Sequence, residues 1–290
     1  MTKIKYINCF GTSYTAGGGF EFETGKIYSR ELSSYYSTYD EIQTQFNFSY
    51  PGQLQKLVGN SIKVYNHAKS GYGNDRLIRL AYDLINSENF NKEEHIFIFE
   101  FAGLGREEFF LNSLNDYIIC NYRTEYDDND NLEFKFNDIA KSYVYDDFNV
   151  RRELLKFKDL FETYVENFVN IDVEEKKLVR DADLFLSYLE KHEIKFLFSV
   201  PPILNYHHDN FFRIQFGDGR YFKNSDNFVK FTDDNNLRIY DETSGEINDM
   251  HSGLLANKLI SYSIYNKLIE KKLIESSILN IDWKYYKSLT

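Results

Sequence analysis

Cysteine, proline and tryptophan are nearly missing from this 290-residue chain, which carries two Cys, three Pro and one Trp. Two cysteines, Cys9 and Cys120, cannot form a disulfide framework, and any zinc site would have to be built mainly from His and Asp. Cys9 sits inside an apolar run and reads as a small core residue. Scarce proline fits a chain rich in regular elements. Positive charge is also in deficit: 34 Lys and Arg stand against 45 Asp and Glu, for a formal net charge of −11. Such a chain repels phosphate backbones and anionic membrane surfaces. Its basic residues are interleaved with acids, as over 174–177, and form no patch, which argues against nucleic-acid and membrane partners. Long hydrophobic runs are missing too. No segment approaches membrane-spanning length, and residue 5 already begins a strand pattern with no apolar signal segment before it. The expectation is a soluble protein, cytoplasmic by default, with association with a virus particle left open.

What the chain has in abundance is aromatic residues, 24 Tyr and 26 Phe, within a 42% hydrophobic composition that supplies a substantial core. Four short apolar runs, 5–10, 62–66, 95–101 and 194–200, have strand character. They are nearly continuous rather than alternating, as strands buried on both faces of a parallel sheet are. Helical patterns at 52–58, 74–86 and 173–192 fall between them, and another at 254–273 closes the series. This alternation predicts a three-layer α/β/α sandwich around a central parallel sheet of about five strands, with right-handed crossovers. Two stretches read as insertions on that scaffold. Residues 21–50 form a polar, Tyr- and Ser-rich loop, and 111–150 contain a hairpin with strands at 117–126 and 132–136 around an acidic turn at 127–131. With no repeat, linker or low-complexity tail, residues 1–290 read as one embellished domain.

Functional groups of parallel α/β sheets collect at the carboxyl ends of the strands. The first run leads into Gly11-Thr12-Ser13-Tyr14-Thr15-Ala16-Gly17, the second into Ser70-Gly71-Tyr72-Gly73-Asn74, and the third into Ala102-Gly103-Leu104-Gly105-Arg106. The fourth leads to Pro201-Pro202 and His207-His208, and a last loop carries Asn248-Asp249-Met250-His251. Glycine-rich turns with free N–H groups opposite a hydroxyl are what acyl transfer requires. Among six histidines, His95 and His192 fall at the wrong edge of the sheet, and His67 could lie on either side of its turn. His207 and His208 lie on the right edge, but adjacent histidines point apart in most backbones, which argues against a shared metal. His251 is the best base, with Asp249 two residues earlier to orient its ring. The alternative for Ser13 is a helix N-cap. For Arg106 it is a salt bridge to Glu107 or Asp75.

The segment from Gly11 to Gly17 resembles the first block, G-D-S-x-T-x-G, of the SGNH (GDSL-type) hydrolases, with Thr12 in place of the usual Asp. The segment from Asn66 to Asn74 resembles the second block, and Asp249-Met250-His251 before a terminal helix resembles the last. The resemblance implies the flavodoxin-like SGNH hydrolase fold, with Ser13 as nucleophile, His251 as base, Asp249 as its partner, and an oxyanion hole made by the N–H groups of Ser13 and Gly71. No cofactor or metal is implied. Two departures stand out. The third block of the family supplies an Asn as the third oxyanion donor, and here the corresponding strand ends in Phe101-Ala102-Gly103-Leu104-Gly105-Arg106. Asn74 and Arg106 are the candidates to replace it, Arg106 also as a substrate contact. The family's last block is D-x-x-H, whereas here Asn248 stands three residues before His251.

The activity this implies is hydrolysis of small acyl esters. Tyr35, Tyr36, Tyr50, Tyr117, Tyr122, Tyr206, Phe211 and Phe212 could stack on sugar rings, which favours O-acetylated carbohydrate as substrate. Two rivals follow from the departures: an O-acyltransferase, or a lapsed hydrolase that binds glycans. A phosphate-binding flavodoxin-like protein is a third, disfavoured because the first loop has neither a P-loop Lys nor a G-x-G-x-x-G pattern.

Overall fold

The first strand, β1 (Tyr6–Phe10), pairs in parallel with β2 (Lys63–Asn66) on one side and β3 (His95–Glu100) on the other. The computed structural model describes residues 4–17, 39–69, 71–113, 115–126, 132–139, 155–199, 221–222, 238–240 and 247–275. Beyond β3 lie β7 (Lys195–Ser199) and the two-residue β8 (Tyr221–Phe222), again parallel, so the sheet runs β2-β1-β3-β7-β8. The protein is therefore α/β with a central parallel sheet of five strands, in the doubly wound order 2-1-3-4-5. That order reverses direction between β1 and β3. The crevice outside the carboxyl ends of these two strands is where such sheets bind ligands.

Side-chain alternation gives the sheet two chemically different faces. Phe10, Phe97, Phe99, Phe196 and Phe198 all point one way. They are covered by α4 (Asn74–Ile85) and α6 (Ile171–Lys191) through Leu77, Ala81, Phe185 and Leu186. Ile7, Cys9, Val64, Ile96, Ile98 and Leu197 point the other way. Against them lie α3 (Tyr50–Val58) and α7 (Leu254–Glu270), through Tyr50, Leu54, Ile260 and Ile264. Both faces are apolar, so the strands read as continuous hydrophobic runs. Truncating any one of these phenylalanines is a change of roughly 3–5 kcal/mol by general experience with cores.

The second inserted stretch forms its own antiparallel sheet. β4 (Arg106–Leu111), β5 (Asp116–Tyr126) and β6 (Leu132–Ile139) pair in chain order, so the expected hairpin is present with an extra strand before it. A helix not foreseen from sequence, α5 (Lys158–Phe168), covers it through Phe161 and Val165 against Ile118, Cys120 and Tyr122. Ion pairs anchor this unit to the scaffold: Arg79 grips Glu108 with two nitrogens at 3.0 and 3.1 Å, and Lys177 bonds the buried Glu107. Glu107 also accepts from the Tyr164 hydroxyl at 2.7 Å.

Three expectations are corrected. Residues 39–48 are not loop but α2 (Tyr39–Phe48), followed directly by α3. The stretch around Asp249 is not a loop but a strand, β10 (Ile247–Ser252), paired antiparallel with β9 (Arg238–Tyr240). Tyr50 and Tyr122 are buried in hydrophobic clusters, which removes them from any sugar-stacking surface. Tyr35, Tyr36, Tyr206, Phe211 and Phe212 lie outside the described residues, as do His207 and His208. Among the described residues no helix is long and apolar enough to cross a membrane.

Candidate active site

Ser13 opens α1 (Ser13–Ala16), a single helical turn directly beyond the carboxyl end of β1. The cap position belongs to Thr12, in extended conformation, and its side chain makes no capping bond. The N-cap reading of Ser13 thus gives way: Ser13 is the first helical residue, where N–H groups have no intrahelical acceptor. Gly17 ends the turn with φ +83, a left-handed value that an L side chain rarely takes, and a Cβ there would lie 2.9 Å from the Gln45 carbonyl.

Beneath this turn stands a carboxyl group that the sequence reading overlooked. Glu100, last residue of β3 and 3% exposed, receives the Thr15 N–H on Oε2 at 3.1 Å and the Thr12 hydroxyl on Oε1 at 3.4 Å. The Thr15 hydroxyl also bonds Glu100 Oε2 and lies 3.4 Å from the Tyr50 hydroxyl. Burial pushes the Glu100 carboxyl up to about 7, against the opposing pull of the bonds from Thr15 and Thr12 and of the Arg106 charge. Burial also raises the Tyr50 phenol and the Cys9 thiol beside it, so Cys9 is an inert core thiol. The signal was available: Glu100 is the one acid in a run of otherwise hydrophobic residues, Ile96 to Ala102.

The second loop is stitched to the first. Asn66, at the end of β2, donates from Nδ2 to the Thr15 carbonyl at 2.9 Å and accepts the Ala68 N–H at 3.1 Å. His67 stacks on Phe10 with ring centroids 4.6 Å apart, and its Nε2 bonds Asn8 Oδ1 at 3.1 Å. Asn8 reaches His95 Nδ1 with its own Nδ2 at 3.1 Å. Burial, then the nearby Arg76 charge, lowers His67 to about 4, so it is a neutral structural residue rather than a base. Gly71 follows with φ +85, a turn that favours glycine.

Asn74 begins α4, and its carboxamide is engaged twice with one residue: Oδ1 accepts the Ala102 N–H at 2.6 Å and Nδ2 donates to the Ala102 carbonyl at 3.1 Å. Arg106 forms neither of the salt bridges considered from sequence. Its guanidinium donates to the Tyr72 carbonyl at 3.3 Å and faces Glu100 and Tyr14, while burial lowers its pKa. A cation is thereby held between the loop of Ser13 and the loop of Gly71. Gly73 permits this, because a Cβ there would lie 2.6 Å from the Arg106 carbonyl.

β10, the strand bearing Asp249 and His251, packs its main chain against α1 and leads into α7. The first, second and last segments singled out in the sequence therefore meet around one turn, with Arg106 from the third. Among the described residues no group of His, Cys, Asp and Glu is arranged to hold a metal ion.

No protein-family model matches the chain, and no curated protein matches it. Among solved structures it is similar to one described as "a putative arylesterase from Agrobacterium tumefaciens str. C58", at 10% identity and a TM-score of 0.41, over 92% of this chain and 99% of the other.

Proposed function

We propose that the protein is a serine-dependent carboxylic-ester hydrolase of the SGNH type, acting on small acyl esters. The observation that carries this reading is the close approach of the backbone of β10, the strand whose sequence includes Asp249 and His251, to the one-turn helix that Ser13 opens at the switch point of the sheet. In this reading His251, oriented by Asp249, takes the Ser13 proton as Oγ attacks the ester carbonyl. The N–H groups of Ser13 and Gly71 receive the oxyanion. His251 then protonates the leaving alcohol, and water releases the acyl group by the reverse sequence.

The third oxyanion donor is assigned to Arg106 ahead of Asn74. Both main-chain bonds of Ala102 hold the Asn74 carboxamide, which leaves it one Nδ2 proton, whereas the Arg106 guanidinium, with one hydrogen bond among the described residues, to Tyr72, has more N–H donors to offer. A cation held at the Tyr72 carbonyl of the Gly71 loop suits a developing oxyanion. O-acetylated carbohydrate is the substrate class to screen first, on the strength of Tyr35, Tyr36, Tyr206, Phe211 and Phe212 in the sequence.

Labelling with a fluorophosphonate probe, read by intact mass, tests the reading. One adduct on the native chain and none on Ser13→Ala or His251→Ala is the expected result. A well-folded native chain that takes no adduct overturns hydrolysis and directs attention to glycan binding without turnover.

A further inference from the structure

We infer that Glu100 is a positioning residue for the Ser13 nucleophile, holding the turn from below through Thr12 and Thr15. This rests on the hydrolase reading above, in which the placement of Ser13 matters for chemistry. Three observations converge. The residues on either side of Ser13 in the turn, Thr12 and Thr15, both donate to the same carboxyl group, so Ser13 is bracketed by two anchored threonines. The bond from the Thr15 N–H satisfies one of the amides that a helical first turn leaves without a partner, and does so from the sheet. Gly11 provides the space: a Cβ there would collide with Thr15 Oγ1 and lie 2.8 Å from Glu100 Oε2. A carboxyl group reached by strand β3 thus supports a turn in which Thr12 occupies the place of the family's Asp.

A positioning role differs from simple support of the core. The groups that act on Glu100 among the described residues are Thr12, the cap of α1, Thr15 within α1, Tyr50 of α3 and Arg106 of β4. Among the described residues, the hydrogen bonds to its carboxyl group all come from Thr12 and Thr15, the cap and the third residue of α1. Its removal should therefore loosen α1 before it loosens the sheet.

The test compares native chain, E100Q, E100L and E100A by the rate of fluorophosphonate labelling and by hydrogen exchange of the peptide covering residues 11–17. Gln keeps an acceptor for Thr15 and presents an amide to the Thr12 hydroxyl, so E100Q should retain at least about a third of the native labelling rate, while E100A and E100L should fall at least about tenfold, as misplaced reacting groups do. Exchange over 11–17 should rise in E100A and E100L while that of the peptide covering β7 stays as in the native chain. Native-like labelling by folded E100A or E100L overturns the inference, and so does an equal loss in all three variants. If the alanine and leucine variants do not fold, Thr15→Val, which removes the hydroxyl that meets Glu100, replaces them with the same expected fall. A native chain that takes no probe ends the hydrolase reading instead, and unchanged exchange over 11–17 in the Glu100 variants then overturns the hold on the turn by itself.

Discussion

Asn74 holds Ala102 by both of its main-chain atoms, accepting the N–H at 2.6 Å and donating to the carbonyl at 3.1 Å. The pairing imitates a strand ladder at the point where β3 stops, and it fixes the third loop to the start of α4. This clasp takes up the Asn74 carbonyl oxygen and one of its two Nδ2 protons, so Asn74 is a structural link first. Arg106→Met is expected to slow fluorophosphonate labelling by roughly 10²–10³, the usual effect of losing one oxyanion donor. Asn74→Ala is expected to act mainly on stability, by about 1–3 kcal/mol, since it leaves two main-chain groups without partners. Labelling kinetics and urea unfolding of both variants separate the two effects.

The Glu100 carboxyl makes stability depend on pH in a stated direction. Its pKa rises from an ordinary 4.5 to about 7 on folding. The folded chain then holds the proton more tightly than the unfolded chain, so the contribution is full below pH 4.5 and is lost as pH rises through 7. The native chain should lose on the order of 2 kcal/mol between pH 5 and pH 8 that E100Q does not lose. Urea denaturation of both at the two pH values measures the difference, and parallel losses would refute the assignment.

Much of the scaffold is legible in the residues themselves. The runs that become β1, β2, β3 and β7 are apolar on both faces because phenylalanine lines one side of the sheet and aliphatic residues the other. The turn at Ser13 and the second loop are marked by glycines that the backbone needs at Gly17 and Gly71, both at positive φ. Helix α2 was not legible. Its sequence is mostly polar, and it ends at Ser49, whose N–H bonds the Gln45 carbonyl while its side chain accepts the Gly52 N–H that starts α3. The strand at Asp249 and His251 depends on a partner, Arg238–Tyr240, which no local pattern announces. Glu100 is hard to read from sequence as a functional group because it ends a strand rather than lying in a glycine-rich loop.

His67 carries a pH dependence of the opposite sign. Its pKa falls from 6.5 to about 4 on folding, so its contribution is present above pH 6.5 and is lost as pH falls through 4. The ring is expected to stay neutral at pH 6, with its proton on Nε2 toward Asn8 Oδ1 and its Nδ1 bare. Imidazole NMR, assigned by comparison with His67→Gln, reads this directly. A midpoint near the ordinary histidine value would show that the stack on Phe10 opens readily to water.

Gly11, Thr15 and Glu100 meet so closely that substitutions among them should not add. A Cβ on Gly11 would collide with Thr15 Oγ1 and stand 2.8 Å from Glu100 Oε2, and the carboxyl group is fixed in the sheet while the threonine belongs to a one-turn helix. The turn must therefore shift, which moves Ser13 with it. Gly11→Ala is expected to destabilise the chain by about 1–3 kcal/mol, the range for overpacking a tight interior. In a Thr15→Ala background the hydroxyl that the new methyl meets is gone, and the penalty of Gly11→Ala should shrink by about 1 kcal/mol, a coupling of the size expected for residues in direct contact. Unfolding free energies of the two single variants and the double variant complete the cycle. Strict additivity would mean that the turn accommodates the extra methyl elsewhere, and that Gly11 serves the loop by its backbone freedom rather than by leaving room for Thr15.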